Sequence, residues 1–347
     1  MKYLKKFLPI IYLGIIMSCS TENKNEIPQD FKFYTESFAD LRIQRYYVPG
    51  FDELTLQQKE LVYYLYEAAL SGREIFHDQN YKHNLYVRRS LEAIVNSYSG
   101  DRTTQDFQNF MIYVKRVWFS NGIHHHYSNK KIIPDFSKEY LKQLIVNSDE
   151  YQFPIQTGET LDQLIDKLSK IIFDPNYDAI KVNQSDGVDL IKTSAINFYE
   201  NVTQKEVEDY YKKIVDPNDP HPISYGLNSK MLKKDGQIIE RQWTINRMYA
   251  PAIQKIVYWL EKAVTVSENE QQKKALQLLV EYYKTGDLKK WDEYNIEWVK
   301  DTSSVVDVIN GFIETYNDPL SYRATFESVV SIKDKEATKR IEAISNN

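Results

Sequence analysis

The chain of 347 residues contains one cysteine, Cys19, so neither a disulfide nor a zinc-thiolate centre can be built from it. It lacks an excess of either charge: 44 Lys and Arg stand against 49 Asp and Glu, a net charge of -5 with both signs interspersed. That balance gives no basic stripe for nucleic acid, and none is expected as a partner. The apolar run from Phe7 to Met17 is shorter than the ~20 residues a membrane-spanning helix needs. There is no fixed-period repeat, which excludes a solenoid. What is present has the composition of a globular protein, 42% hydrophobic and 27% charged, long enough for two domains.

The single cysteine sits where it has a specific meaning. Lys2, Lys5 and Lys6 precede the apolar run, and Ile16-Met17-Ser18-Cys19 follows as a lipobox. Residues 1–19 read as a lipoprotein signal peptide. Acylated Cys19 would become the mature N-terminus and anchor the protein to a membrane of the bacterial cell envelope, periplasmic or outer-membrane. Residues 20–37 follow as a polar tether.

From residue 38 to 216 the pattern is helical. Leu61, Leu65, Ala68 and Ala69 share one face, as do Phe107, Phe110, Met111, Val114, Val117 and Trp118, and Leu161, Leu164, Ile165, Leu168 and Ile171. Thr203 and Glu206 have the spacing of a capping box. The character changes at Asp216-Pro217-Asn218-Asp219-Pro220, and residues 217–347 read as a mixed α/β region. Ile223–Leu232 and Gln237–Ile245 form a hairpin across Lys234-Asp235-Gly236. Helices return at Ala250–Val264 and Gln271–Tyr283, with Gly286 as a C-cap. The expected class is α+β, mostly helical with a small barrel-like sheet.

The stretch with most chemistry runs from Glu297-Trp298-Val299-Lys300-Asp301 to Gly311-Phe312-Ile313-Glu314-Thr315-Tyr316-Asn317-Asp318-Pro319. Its β-branched residues and the run Phe326–Ile332 beyond the Asn-Asp-Pro signal predict a hairpin. In an extended strand Glu314 and Tyr316 point the same way. A carboxylate and a phenol side by side can hold an ammonium group and hydrogen-bond a carbonyl, as a site reading a peptide N-terminus must. The bland reading, the polar face of a strand, stands beside it. Trp298 alone would more often be a core residue. His124-His125-His126 invites a metal reading, but consecutive residues fan out on a helix and alternate on a strand, so a hydrogen-bonded or adventitious role is favoured. Asn201-Val202-Thr203 matches a glycosylation acceptor, disfavoured by the lipobox, and Ser224–Ser229 is expected to line the barrel.

The segments WVKD, GFIETYNDP and FESVV, with Met248–Ile253, VPGFDELTLQQKELVYYLYEAAL, KRVWFSNGIHHHY, SYGLNSK and IVYWLEKA, resemble the dipeptidyl-peptidase III family of zinc exopeptidases, Bacteroides-type members above all. The resemblance runs from about Phe38 to the C-terminus. It implies a lower lobe built around a five-stranded barrel, with some strands beyond Asn347. It also implies that Glu314 and Tyr316 bind the N-terminal end of an oligopeptide substrate, that Tyr316 assists at the scissile carbonyl, and that Trp298 packs beside the peptide.

The family's zinc site is a helix bearing His-Glu-x-x-x-His and a later Glu. The six histidines here are His77, His83, His124, His125, His126 and His221, and none is followed by Glu. The expectation is therefore the N-terminal, substrate-binding half of such a peptidase. The family's zinc would be ligated by a catalytic lobe outside this chain, which would be inactive alone and need that lobe as its partner. The alternative is a complete surface lipoprotein that binds peptides or glycans without catalysis.

Overall fold

The computed structural model describes residues 27–345. The expected signal peptide, Cys19 and the start of the expected tether lie outside them. The tether expectation fails at its end: β1 (Tyr34–Phe38) pairs antiparallel with β2 (Leu41–Gln44). Glu36 and Asp40 of this hairpin bind Lys115 and Arg116, charges that a polar-tract reading does not pair.

Six helices follow: α1 (Leu56–Ser71), α2 (Arg73–Asn80), α3 (Asn84–Ser97), α4 (Gln105–Phe119), α5 (Lys138–Val146) and α6 (Leu161–Phe173). The starts of α1, α4, α5 and α6 are set by side chains that satisfy otherwise orphaned N–H groups. Thr55 and Thr160 make reciprocal capping boxes with Gln58 and Gln163, and Thr104 and Ser137 accept from the third residue of their helices. The apolar faces of α3 to α6 close one core around Phe110, Leu144 and Leu168. Trp118 departs from its expected face and is 37% exposed.

The short strand β3 (Tyr199–Glu200) leads to α7 (Gln204–Ile214), where the Thr203–Glu206 capping box forms as expected. β4 (Ser229–Lys234) and β5 (Gln237–Gln242) make the anticipated hairpin, closed by Asp235 and Gly236 at φ 51° and 78°. That left-handed pair is the tight two-residue turn for which Asp-Gly is suited. Residues 223–228 are not strand, and 225–228 form a turn. Then come α8 (Ala250–Thr265), α9 (Glu270–Thr285) with Gly286 as its left-handed cap, α10 (Leu288–Lys300), β6 (Val306–Glu314), β7 (Thr325–Ile332) and α11 (Lys335–Ser345).

The second core is made by α1, α8, α9 and the inner face of the β6–β7 hairpin. Trp243 is its pivot, with Phe312 at 4.7 Å, Tyr249 at 5.8 Å and Phe198 at 5.9 Å between ring centroids. The described strands form three separate sheets, β1-β2, β3-β4-β5 and β6-β7, and no closed barrel forms among them. The mostly helical α+β class holds, whereas the barrel-like sheet is not seen.

Candidate substrate-binding site

The candidate residues gather on the outer face of the β6–β7 hairpin. Val306, Val308, Asn310 and Phe312 alternate into the core, and Asp307 and Ile309 face out. Continued regularly, this alternation would bury Glu314 beside Phe312. It does not, because the register shifts between Phe312 and Glu314: Phe312 pairs Phe326, and Glu314 pairs Thr325. The extra residue, Ile313, is a β-bulge that turns Glu314 outward, where it is exposed.

The strand ends at Glu314, so Tyr316 lies in the following turn and not two places along a strand. The expected shared-face geometry is therefore not the one realised. The two side chains are nevertheless neighbours. Partial burial, then Glu327, then Glu314 push the Tyr316 phenol above its usual range, and burial with the Glu314 charge raises the Glu327 carboxyl. Tyr316 is 63% exposed, so it stands open to a ligand. Glu327 is the residue that sequence reasoning missed. It pairs Gly311 across the hairpin, which puts a second carboxylate beside Glu314. Only the register could have disclosed it.

The turn that carries Tyr316 is anchored from below. The buried Asp318 carboxylate accepts from the backbone N–H groups of Leu320 (3.0 Å), Tyr322 (3.0 Å) and Arg323 (2.8 Å), and from the Tyr199 hydroxyl at 2.7 Å. Arg323, 0% exposed, donates to the Tyr199 and Tyr211 hydroxyls at 2.9 Å and to Glu240 at 3.2 Å. Gln79 of α2 adds a second anchor: its amide donates to the Ala324 carbonyl (3.1 Å) and accepts from the Phe326 N–H (2.8 Å), standing in for a strand partner where β7 begins. The Ser224–Ser229 segment is structural here, and Ala324 N–H donates to the Leu227 carbonyl at 3.0 Å.

Trp298 belongs to α10, not to a strand stretch. Trp291, Tyr294 and Trp298 recur at helical spacing, a signal masked by the β-branched residues that follow. The Trp298 indole N–H donates to Asp307 at 2.8 Å, and the Trp291 ring lies so close to Gly311 that a Cβ there would meet it at 2.5 Å. Asp307 and Glu314 are separated along β6 by roughly 20 Å, at about 3.3 Å per residue. The structure thus brings Glu314, Tyr316 and Glu327 together and holds Trp298 on the same side of the hairpin at its far end.

The three consecutive histidines do not converge. His124 is 2% exposed and its Nε2 donates to the Asp178 carbonyl at 2.7 Å. His125 Nδ1 accepts from the Tyr127 and Ser128 N–H groups at 3.2 Å, and His126 packs against Phe119 and Tyr127. Among the described residues no three His, Cys, Asp or Glu side chains are grouped to hold a metal ion. The residues present do not fit a zinc site. Thr203 of the Asn201-Val202-Thr203 pattern serves as the α7 cap.

A mostly helical α+β scaffold that presents two carboxylates and a phenol at the end of a bulged hairpin defines a class of protein able to hold a cationic amine beside a hydrogen-bonding hydroxyl. Residues 182–347 match the model of peptidase family M49. Dipeptidyl peptidase 3 of Rattus norvegicus is 26% identical over 264 residues, covering 70% of this chain and 36% of the rat protein. Dipeptidyl peptidase 3 of Nematostella vectensis is 24% identical over 336 residues, covering 84% of this chain and 45% of its own length. The solved structure of DPP III from Caldithrix abyssi superposes with a TM-score of 0.55 at 19% identity, over 85% of this chain and 43% of that one. Over the parts so matched the chain is similar to the dipeptidyl-peptidase III family. It spans less than half the length of these relatives.

Proposed function

We propose that this chain is the N-terminal, substrate-binding portion of a dipeptidyl-peptidase III-like metallopeptidase that releases dipeptides from the N-terminus of oligopeptides. The observation that carries the reading is the bulge-exposed Glu314 beside Glu327 and Tyr316, in a chain similar to that family. Glu327, raised by burial and by the Glu314 charge beside it, is relieved by a cation, and the α-ammonium of a peptide is one. The Tyr316 hydroxyl, kept protonated, can donate to a peptide carbonyl.

In the family the bound zinc supplies the hydrolytic chemistry. Among the described residues no side chains are grouped to provide its ligands. The contribution of this chain is to bind and to orient: an ammonium fixed at Glu314 sets how many residues lie between the peptide's first atom and whatever cleaves it. The expectation that the chain does not turn over substrate alone belongs to the same reading, as does its lipid anchoring through Cys19 at the bacterial envelope.

The test is calorimetric titration of the chain from Ser20 to Asn347 with a tetrapeptide, alongside a chromogenic dipeptide amide assay with zinc present. Binding without turnover, weakened at least ~10-fold in Glu314→Ala, supports the reading. Binding unchanged in that variant contradicts it. Turnover by the chain alone contradicts its assignment as a purely binding half. The second reading, a surface lipoprotein for peptides or glycans, gains from binding that ignores the peptide's N-terminus.

A further inference from the structure

We propose that the cleft between α2, α3 and α4, lined by Arg73, His77, Arg88 and Trp118, binds a small oxyanion, a carboxylate or a phosphate group. The cleft has a volume of about 330 Å³, large enough for such a group with a small organic body. It lies on the helical part of the chain and is independent of the hairpin site.

The argument begins with charge. Arg73 and His77 stand one turn apart on α2, and Arg88 and Glu92 one turn apart on α3. Arg88 Nε donates to Glu92 at 2.8 Å, and the Arg88 side chain is only 13% exposed. Its Nη1 is buried and has no acceptor. Arg73 is exposed, and its guanidinium has no ion pair among the described residues. Two guanidiniums therefore share one carboxylate around the cleft. A buried guanidinium N–H without an acceptor is costly, and an oxyanion is the group whose geometry answers it.

His77 reports the same field. It is 3% exposed, and its Nδ1 lies 3.1 Å from the Arg73 carbonyl, which can only accept, so Nδ1 carries the proton and Nε2 is left with its lone pair. Burial, then Arg88 and Arg73, hold its pKa below 6.5, against a raising contribution from its own hydrogen bond and from Glu74. An anion bound between the two arginines would cancel their effect and raise the His77 midpoint. By linkage, the anion would bind more tightly as pH falls through that midpoint. Trp118, turned out of the α4 core and 37% exposed, supplies an apolar wall.

The experiment follows the His77 imidazole by NMR in the full chain, assigned with His77→Gln, while inorganic phosphate, acetate or chloride is added at matched ionic strength. Calorimetry gives the affinities. A saturable upward move of the His77 midpoint in phosphate, in acetate or in both, exceeding any in chloride, supports the site, and the probe that saturates identifies the group. Affinity should fall by about 10-fold or more in Arg73→Gln and in Arg88→Lys, which keeps charge but loses the planar fork. Arg73→Gln alters an exposed side chain, so it tests the site without risk to folding. No saturable change, a change matched by chloride, or full retention in both variants would overturn the proposal.

Discussion

Glu314 and Glu327 share one outer face, and their proximity makes the site pH-sensitive. The Glu327 carboxyl is raised above its ordinary value by burial first and by Glu314 second. An ammonium ligand favours the ionised form, so peptide affinity should be full above the raised Glu327 midpoint and fall as pH drops through it. In Glu327→Gln the fall should flatten, which titrations at a series of pH values would show; an unaltered profile would remove Glu327 from the site. Glu314 and Tyr316 were legible because a carboxylate and a phenol two residues apart, in a motif shared with a family, stand out. Glu327 was not, since a single-residue slip in register would have put it on the other face. The spatial relation of the legible pair also came from something other than strand alternation: a bulge at Ile313 and a turn at Tyr316.

At the scale of elements, the hairpin is held by close packing on one side and by a buried polar network at its tip. A Cβ at Gly311 would meet the Trp291 ring at 2.5 Å. Gly311→Ala should destabilise the fold by about 1–3 kcal/mol, read as a lower urea midpoint at unchanged slope. Arg323→Met leaves Glu240 and the Tyr199 and Tyr211 hydroxyls without their buried guanidinium partner and should cost about 3–5 kcal/mol. A loss under 1 kcal/mol in that variant, on the order of an exposed pair, would show that the network does not anchor the turn. Elements with local signals were read well: the Asp235-Gly236 turn, the Thr203 cap and Gly286. Those that depend on distant partners were not. β1 and β2 owe their place to charge pairs with α4, and α10 was hidden because Glu297–Asp301 adjoins the β-branched run that begins β6. The barrel was an inference from kinship; the described strands form separate sheets.

For the molecule as a whole, the buried His124 and half-buried His83 imidazoles set an acid limit. His124 and His83 are both held at about 4 by burial first. Lys131 and Lys181 add to the lowering at His124, and Lys82 and Lys167 at His83, while Asp178 opposes it at both and the Asp178 carbonyl bond raises His124. Their folded pKa lies below the unfolded value, so their contribution is complete above about 6.5 and is lost as pH falls toward 4, where the unfolded chain binds the extra protons. For His124 that displacement corresponds to roughly 3 kcal/mol. Asp78 and Asp318, raised by burial, act in the opposite sense, so the clean comparison is with His124→Asn, whose thermal midpoint should fall less steeply between pH 6.5 and 4. An identical slope would mean that His124 is not buried neutral.

The central claim is that the hairpin site reads the positive N-terminus of a peptide. The most direct measurement is a pair of calorimetric titrations with one tetrapeptide, its α-amino group free in one and acetylated in the other. Acetylation removes the charge and leaves the side chains in place. Loss of binding on acetylation, with Glu314→Ala binding the free and acetylated peptides alike, is the predicted result. Equal affinity of the unaltered chain for both peptides would contradict the account.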